Sequence, residues 1–448
     1  MELLEGKMKG TPSPETISTK QQRIAKLAKE DKKRALNTLA HHIDIDWLKE
    51  AFRRTRKDGA PGIDGLTAGD YEKQLEANLQ SLLNRAKSGE YRAPAVRRVH
   101  IPKGDGSQTR PIGIPTFEDK VLQRAVQMVL EPIYEQDFLN CSYGFRPGRS
   151  AHQALENFWQ QMMTMGGGWV VEVDIKSFFD KLGHSHLQQL IRRRVHDGVL
   201  LRLIGKWLNA GVQENGSVSY PEAGTPQGGV ISPLLANIYL HEVLDEWVEE
   251  EVKPRLKGRA FLVRFADDFV LGFSNEEDAR RVMDVLPKRL GKYGLTLHPE
   301  KTRLLRFAPP REGGQEQPPE SFDFLGFNHH WEKSRKGRWA IKRTTAKSRF
   351  TRALKKVAEW CRVFRHRTLD EQHQHLCEAL RGHCGYYGIT GNSHALGCFA
   401  HEMRKVWKKW LARRSQRGMN WESFNRMLEH FALPAPRAIH SKLRAANP

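Results

Sequence analysis

Two adjacent carboxylates, Asp267 and Asp268, lie in the stretch RFADDFVLGF between two runs of apolar residues that favour β-strands. The simplest interpretation is a β-hairpin with its turn at residues 266–268, because Asp is a common turn former. The alternative is that both carboxylates face a cation. Adjacent residues on a regular strand point to opposite faces, but a tight turn can bring both towards one ion. A third carboxylate on another buried strand would favour the cation site.

That third carboxylate is Asp174, at the end of the β-branched strand predicted in GGGWVVEVD. Between it and the hairpin lies a Gly-rich turn that leads into an apolar helix. Two divalent ions about 3.5–4 Å apart need oxygen ligands from separate strands, and Mg²⁺ suits carboxylates together with substrate phosphates. Such ions would also explain the clustering, because like charges at short range otherwise raise each other's pKa.

The positive charge of the chain is concentrated in its last quarter. The net charge is +21, and 26 lysines and arginines stand against 8 acidic residues from Trp331 onward, whereas the first 330 residues hold 47 against 44. A solvated basic face is the simplest explanation, but an excess of this size in one region favours a polyanion. Nucleic acid is therefore the expected partner.

Length and composition limit the class of protein. A chain of 448 residues can hold about two or three domains with a large core. No apolar run reaches the roughly 18 residues that a membrane span needs, and the N-terminal MELLEGKMKG lacks the apolar core of a secretory signal. Five cysteines without a CxxC pair fit a reducing compartment. We therefore expect a cytoplasmic protein without a membrane partner.

Helical spacing dominates after Arg343. One predicted helix has an apolar face at intervals of four and three, formed by Phe350, Leu354, Val357, Cys361 and Phe364. A second, which Asn392 or Ser393 can cap, repeats the pattern with Leu396, Phe399, Met403, Val406 and Trp410. The apolar faces are expected to be core. The basic faces outside them suggest a groove for a phosphate backbone.

Before the carboxylates, two short strands around the turn Lys103–Ser107 are predicted in YRAPAVRRVHIPKGDGSQTRPIGIP, and a helix follows in FEDKVLQRAVQMVLEPIY. A further hairpin strand is predicted in FDFLGFNHHW. The first 45 residues are polar and lysine-rich with a weak helical pattern.

Five segments in chain order resemble palm motifs A to E of reverse transcriptases: VVEVDIKSFFD, GTPQGGVISPLLANIYL, FADD, LTLHPEKT and FDFLGF. KDGAPGIDG, IPKGDGSQTRPIGIP and YGFRPGRS before them, and GHCGYYG after them, narrow the resemblance to the reverse transcriptase/maturases encoded by bacterial group II introns. The match runs from about Trp47 to about Pro436, most of the chain.

The resemblance implies catalytic and metal-binding roles. Asp174, Asp267 and Asp268 would be the metal carboxylates, and Ile175 would contribute to the metal and nucleotide sites. Two Mg²⁺ ions are implied, with Mn²⁺ as a possible substitute; one would activate the primer 3′-hydroxyl and the other the leaving pyrophosphate. Lys301 would be the general acid that protonates pyrophosphate, unless it is a surface lysine after a turn.

The incoming deoxynucleotide would meet residues from several motifs. Lys103 and Arg110 would bind the triphosphate, unless they are solvated charges on a hairpin, and Gln227 would contact the nucleotide near its 3′-hydroxyl. Phe179 would stack under the sugar and clash with a ribose 2′-hydroxyl, with Phe178 as a core residue on the opposite face.

Contacts to nucleic acid are implied on two surfaces. The primer grip would be formed by Phe324, Leu325 and Gly326. RNA phosphates would be bound by the basic helices, through Lys347, Arg349, Arg352, Lys355, Lys356, Arg404 and Lys408.

The implied fold is α+β, a right-hand polymerase whose fingers and palm precede an all-helical thumb that doubles as the maturase domain. The expected segments are a basic N-terminal extension (1–45), fingers (46–165), palm (166–330), helical thumb (331–436) and a short tail (437–448). The implied partners are group II intron RNA, an RNA template with a DNA primer, deoxynucleotides and target DNA. The oligomeric state is left open by the sequence.

Two departures qualify the resemblance. Most relatives have Tyr where this chain has Phe265, so any role of that hydroxyl is in doubt. The sequence also reaches Pro448 without a Cys-rich HNH-type nuclease, which predicts that it does not cut the second strand of a DNA target. The cluster His373, His375, Cys377, His383 and Cys384 lacks the spacing of a known zinc site and is expected to pack thumb helices.

Two alternative functions remain open. One is a stand-alone reverse transcriptase used in defence or repair, which a search of the flanking DNA for an intron would distinguish. The other is an RNA-binding splicing cofactor with an inactive palm, which a primer-extension assay would distinguish.

Overall fold

The computed structural model describes residues 16–32, 34–103, 108–220, 223–224, 228–310, 319–334, 336–416 and 418–440. The side chains of Lys103 and Gln108 are also outside the described part. Gln227 and the turn after Lys103 therefore lie outside it.

The helices are α1 (Ile17–Glu30), α2 (Ile45–Arg54), α3 (Ala68–Glu72), α4 (Leu75–Ser88), α5 (Phe117–Tyr134), α6 (Ala151–Met165), α7 (Phe178–Lys181), α8 (His184–Arg192), α9 (Gly198–Leu208), α10 (Ser232–Leu240), α11 (Glu276–Gly291), α12 (Lys347–Val363), α13 (Leu369–Tyr387), α14 (Ser393–Leu411) and α15 (Trp421–His430). Helix α10 continues into π-helical turns at His241–Asp245 and Trp247–Val252. Short 3₁₀ turns lie at Ala40–His42 and Lys253–Arg255.

The strands are β1 (Val96–Lys103), β2 (Gln108–Ile114), β3 (Gly168–Asp174), β4 (Val212–Glu214), β5 (Ser217–Ser219), β6 (Ala260–Phe265), β7 (Asp268–Phe273), β8 (Arg303–Phe307), β9 (Phe322–Phe324), β10 (Phe327–Lys333) and β11 (Trp339–Thr345). They form three sheets with the orders β2-β1-β4-β5, β6-β7-β3-β8 and β11-β10-β9.

The sheet β6-β7-β3-β8, which we call the palm sheet, has β3 at its centre between antiparallel neighbours. The β-branched residues Val170, Val171 and Val173 are buried on β3, as expected for a central strand covered on both faces. Helix α11 packs on this sheet. The paired strands and the packed helix therefore fix the positions of the residues at the strand ends.

We call the N-terminal helical layer together with the sheet β2-β1-β4-β5 the fingers. The strands β4 and β5 come from the segment that was assigned from the sequence to the palm. Helices α1 and α2 pack on α5, and the buried indole of Trp47 donates to the Ala125 carbonyl at 2.9 Å. The two strands predicted around the turn after Lys103 are present as β1 and β2.

The C-terminal region is helical, but it begins later than predicted. Residues Trp331 to Thr345, assigned from the sequence to the helical thumb, complete a β10–β11 hairpin, and the helices start at Lys347. The predicted stripe on α14 is also shifted, because Trp407 and Leu411 are buried while Val406 and Trp410 are only partly buried. The α+β fold with a helical C-terminal region is confirmed.

The described helices were also compared with the requirements of a membrane span. None of them combines the length and the apolar composition that crossing a membrane requires.

Candidate active site

The two adjacent carboxylates lie at the tip of a tight hairpin. Phe265 pairs with Asp268, so Ala266 and Asp267 form a two-residue loop between β6 and β7. Ala266 has φ +58°, a left-handed conformation that usually requires Gly at the first loop position of such hairpins. The sequence prediction of a hairpin turn is confirmed, and the turn holds its residues in a strained backbone.

A buried polar network holds this strained hairpin. Arg264 is fully buried and forms a bidentate ion pair with Asp245, with N···O distances of 2.7 and 2.6 Å. Its Nη2 also donates to Ser142 Oγ at 2.7 Å, and Nη1 donates to Asn237 Oδ1 at 3.0 Å and to the Ala266 carbonyl at 3.1 Å. All five donors of the guanidinium fork can be satisfied in this way, and one of these bonds fixes the strained loop residue itself.

Asp174 lies directly opposite Asp268 in the antiparallel pair of β3 and β7. Side chains of directly opposed residues share one face of a sheet, so the two carboxylates face the same side at the end of the palm sheet. Asp267 follows in the loop next to them. The structure thus brings together the three carboxylates that the sequence singled out.

The charges of these carboxylates disfavour one another. Burial, followed by the charges of Asp267, Asp174 and Glu172, raises the pKa of Asp268 to about 7. The residue is nevertheless exposed to solvent, so water screens much of this effect; the crowding of like charges supports an upward direction of the shift. Burial likewise raises the pKa of Asp267, with the positive charge of Arg110 as an opposing influence.

Lys301 also reaches this site. Its Nζ lies 2.7 Å from Oδ2 of Asp174. The segment that carries it is attached to the end of β3, because His298 N donates to the Asp174 carbonyl and Lys176 N donates to the Thr296 carbonyl, each at 2.8 Å. Among the described residues, no three His, Cys, Asp or Glu side chains are arranged to hold a metal ion, and Asp174 is paired with the lysine instead.

The backbone of Ile175 is oriented towards the hairpin side of β3. Ile175 forms an isolated antiparallel bridge with Leu297. The two hydrogen bonds of this bridge are made by the neighbours of Ile175, through the Asp174 carbonyl and the Lys176 N–H. In this pattern the N–H and C=O of the central residue point away from the partner segment. The carbonyl of Ile175 is therefore available on the side of the carboxylates, while its side chain is buried in the core.

The adjacent phenylalanines differ in burial, as the sequence predicted. Phe178 is 2 % exposed and Phe179 is partly exposed, with their ring centroids 5.3 Å apart in an edge arrangement. The residue before them, Ser177, has φ +50°, which turns the chain sharply out of β3. Gly224 approaches this turn closely, since a Cβ there would lie 2.9 Å from the Phe179 carbonyl oxygen.

The Gly-rich turn approaches the fingers. Gly228 has φ +120°, and a Cβ there would lie 2.5 Å from the Gly113 carbonyl oxygen on β2. Arg110 lies on the same strand, opposite Ile101, and is exposed. The side chain of Lys103 and residue Gln227 are outside the described residues, so their nucleotide-binding roles remain predictions.

The predicted primer grip is the turn between β9 and β10. Leu325 and Gly326 have φ of +50° and +81°, positive at both loop positions as in a type I′ hairpin. Phe324 is only 1 % exposed, so its side chain supports the turn from the core, and a contact with a primer would have to use its backbone. The surface of the turn is formed by Leu325 and Gly326.

The thumb is attached to this turn. Tyr386 Oη donates to the Leu325 carbonyl at 2.8 Å, and Ala346 N donates to the Gly326 carbonyl at 3.0 Å. Arg349 packs against Gly326, where a Cβ would lie 3.7 Å from its Cγ, and its positive charge counters the rise in the pKa of Asp268. Arg349 therefore lies at the junction of thumb and palm.

The remaining basic residues lie on the two thumb helices α12 and α14. Lys347, Lys355, Lys356 and Arg404 are exposed, and Arg352 and Lys408 are partly exposed. Lys408 Nζ lies 4.8 Å from the ring centre of Trp421, an exposed side chain, so the two residues form a cation–π contact. The histidines and cysteines of the thumb pack within it; for example, His383 stacks on Phe399 at 3.8 Å and His375 on Trp360 at 3.8 Å.

Sequence reasoning missed the network around Arg264. An arginine near two aspartates suggests a solvated or substrate-binding side chain. In this structure Arg264 is buried and stabilises the hairpin loop through its bond to the Ala266 carbonyl. The available signal was the presence of Asp245 and Asn237 within an otherwise apolar helix.

Comparisons with known proteins agree with this geometry. Residues 101–329 match the family model described as reverse transcriptase (RNA-dependent DNA polymerase). The chain is 36 % identical over 329 residues to protein YkfC of Escherichia coli, covering 64 % of this chain and 84 % of that protein. It is 30 % identical over 425 residues to the group II intron-encoded protein LtrA of Lactococcus lactis, covering 76 % of this chain and 68 % of LtrA.

The family-model match covers the palm sheet, its three carboxylates and the Lys301 segment. The chain belongs to the reverse transcriptase family, and within it to the reverse transcriptases encoded by group II introns.

Proposed function

We propose that the protein extends a DNA primer on an RNA template and that the same chain binds group II intron RNA to promote its splicing and its mobility by target-primed reverse transcription. The observation that carries the polymerase activity is the pairing of Asp174 with Asp268 across β3 and β7, with Asp267 in the adjoining loop. The family match and the similarity to LtrA support this assignment.

The residue types at this end of the palm sheet have the chemistry that two Mg²⁺ ions require, although Asp174 is paired with Lys301 in this structure. Three carboxylates and the Ile175 carbonyl supply hard oxygen ligands, which Mg²⁺ prefers. Beyond the effect of burial, the charge of Asp174 raises the pKa of both Asp267 and Asp268, and a bound cation would offset this repulsion. When bound, the ions would activate the primer hydroxyl and stabilise charge on the leaving pyrophosphate.

Other residues would position the substrates. Arg110 is close enough to Asp267 for its positive charge to lower the pKa of that carboxyl, and it would bind the triphosphate of the incoming nucleotide. Phe179 presents a partly exposed ring beside the end of β3 and would exclude a ribose 2′-hydroxyl. Lys301 would give a proton to pyrophosphate from its place beside Asp174.

Intron RNA would bind the basic faces of α12 and α14. The exposed lysines and arginines there have the charge and the spacing for a phosphate backbone, and the excess positive charge of the chain lies in this region. Phosphate contacts by these side chains do not involve the metal carboxylates, so splicing assistance should not require the metal site.

Primer extension tests the polymerase half directly. The purified protein is incubated with an RNA template, an annealed DNA primer, deoxynucleotides and Mg²⁺, and Asp267→Asn is compared with wild type. Loss of extension in the folded mutant supports the proposal; ordinary extension would exclude the carboxylate mechanism.

A further inference from the structure

Phe145 is an exposed aromatic ring beside the hairpin that carries Asp267. The residue is 57 % exposed, and its ring centroid lies 6.4 Å from that of Phe265, two positions before Asp267. A large apolar ring placed in solvent at this point has no structural role in the core. Its position suggests that something apolar covers it during function.

The backbone at Phe145 is strained. Its φ is +57°, in the left-handed region that is an outlier for a bulky residue. A glycine would satisfy this conformation without cost, yet the chain has a phenylalanine. Strained conformations persist where the surrounding structure imposes them, and they cluster at ligand sites.

The surrounding loop is rigidly held. Gly144 is pressed against the backbone of Ala266, and its carbonyl accepts a hydrogen bond from the buried Asn237 at 2.7 Å. On the other side, the buried Arg146 pairs with Glu135 at 2.9 Å and donates to the Leu139 and Ser142 carbonyls at 2.7 and 2.9 Å. The ring is therefore presented in a fixed orientation and not on a mobile loop.

This loop also connects the catalytic hairpin with the predicted primer grip. It leads into α6, where His152 Nε2 donates to the Tyr386 carbonyl at 2.8 Å, and the Tyr386 hydroxyl donates to the Leu325 carbonyl at 2.8 Å. Phe145 is thus attached at one end to the carboxylate hairpin and at the other to the turn that would hold the primer. If the proposed function is right, the primer–template duplex would pass between these two attachment points.

We propose that Phe145 is a nucleic-acid contact in which its ring packs against the terminal nucleotides of the primer–template duplex and holds the primer end over the carboxylates. Aromatic rings bind bases of any sequence through their faces, which suits an enzyme that must copy every template. The strained, pre-ordered backbone reduces the entropy lost on binding. This inference rests on the proposed polymerase function.

The test uses two substitutions at this position. Phe145→Gly removes the ring and relaxes the backbone, so the variant should be no less stable to heat than wild type. Phe145→Tyr keeps the ring. Asn215→Gly is the matched control, because Asn215 also has a positive φ, +50°, but lies in the turn between β4 and β5 of the fingers.

Binding is measured by fluorescence anisotropy with an RNA–DNA primer–template, and stacking by the quenching of 2-aminopurine placed at the primer 3′ end. The free energy of base–aromatic stacking predicts that Phe145→Gly weakens duplex binding roughly 5- to 150-fold. The quenching of 2-aminopurine should also be lost. In primer extension, the KM for the duplex should rise by a larger factor than kcat falls. Phe145→Tyr should restore both signals, and Asn215→Gly should match wild type.

Unchanged duplex affinity and quenching in Phe145→Gly would overturn the inference, as would an equal loss in Phe145→Tyr. Loss of intron RNA binding with no effect on the duplex would also overturn it and indicate an intron contact instead. Because both binding signals are read without catalysis, they remain informative even if wild-type protein fails to extend the primer, which would count against the proposed function alone.

Discussion

Lys301 Nζ and Asp174 Oδ2 lie 2.7 Å apart, although the two residues are 127 positions apart in the chain. The pair is partly exposed, with 54 % of the lysine side chain and 38 % of the aspartate side chain accessible. A lysine that reaches the carboxylates from solvent can both balance their charge and exchange protons with substrate. The two roles are separable by substitution.

If Lys301 donates a proton to pyrophosphate, Lys301→Ala should slow single-turnover extension by roughly 10²- to 10⁴-fold, the usual contribution of a positioned acid. Lys301→Arg keeps the positive charge but holds its proton too tightly to donate it, so it should remain slow. Lys292→Ala, an exposed lysine after α11, is the control. Full activity in Lys301→Arg would show that the charge alone matters.

Phe179→Ala should allow ribonucleotides to be incorporated much more readily, because the ring that would clash with a 2′-hydroxyl is gone. The ratio of kcat/KM for a deoxynucleotide and its ribonucleotide measures the change. Phe178→Ala should instead destabilise the fold by about 3–5 kcal/mol, the usual cost of removing a buried ring, without a specific change in sugar choice. Unchanged discrimination in Phe179→Ala would place the selecting residue elsewhere.

The thumb surface should bind RNA mainly through phosphates. If it neutralises about six or more of them, RNA affinity should fall roughly 10³-fold or more between 50 and 200 mM salt. Replacing Lys355 and Lys356 together by Ala should lower the slope of log affinity against log salt by up to about two units. The double variant Lys288→Ala/Lys292→Ala, on the exposed side of α11, should keep the wild-type slope; a loss there equal to that in the thumb variant would argue against a localised RNA surface.

His329 should make the protein sensitive to acid. It is fully buried, stacked on Phe322 at 5.0 Å and against the edge of Phe158 at 5.1 Å, and burial lowers its pKa to about 3. Because its pKa is about 6.5 in the unfolded chain, its neutral form contributes stability above that pH, and this contribution is lost as pH falls towards 3. His329→Leu should lose less stability between pH 7 and 4 in denaturant titrations; an identical pH dependence in both proteins would contradict the assignment.

Much of the fold could be predicted because its local signals are strong. The β-branched run before Asp174 predicts the central strand, and the two aspartates between apolar runs predict the hairpin that is observed. The apolar intervals of α12 predict its buried face, including Val357 and Cys361. For α14 the same reasoning predicted that Val406 and Trp410 are buried, whereas Trp407 and Leu411 are the buried residues. The prediction failed because apolar residues occur at adjacent positions there, so the spacing fits more than one face of the helix.

The remaining features depend on contacts between distant parts of the chain. No local pattern shows that Asp174 pairs with Asp268, because strand register is set by the whole sheet. The burial of Arg264 against Asp245 and the outward ring of Phe145 likewise result from loops that meet only in the folded protein. The domain boundary predicted at Trp331 falls within β10, and the strand β11 was not predicted, because the β10–β11 hairpin has a mixed polar pattern.

The central claim is that one chain has two separable activities, polymerisation at the palm carboxylates and splicing assistance on the thumb. The most direct measurement compares Asp267→Asn and the double variant Lys355→Ala/Lys356→Ala in one primer-extension assay and one splicing assay with a group II intron RNA that the wild-type protein binds. Asp267→Asn should abolish extension but still accelerate splicing, whereas the thumb variant should weaken splicing.

The account would be contradicted if Asp267→Asn, while folded and bound to RNA, lost splicing as completely as extension, or if wild-type protein never accelerated splicing.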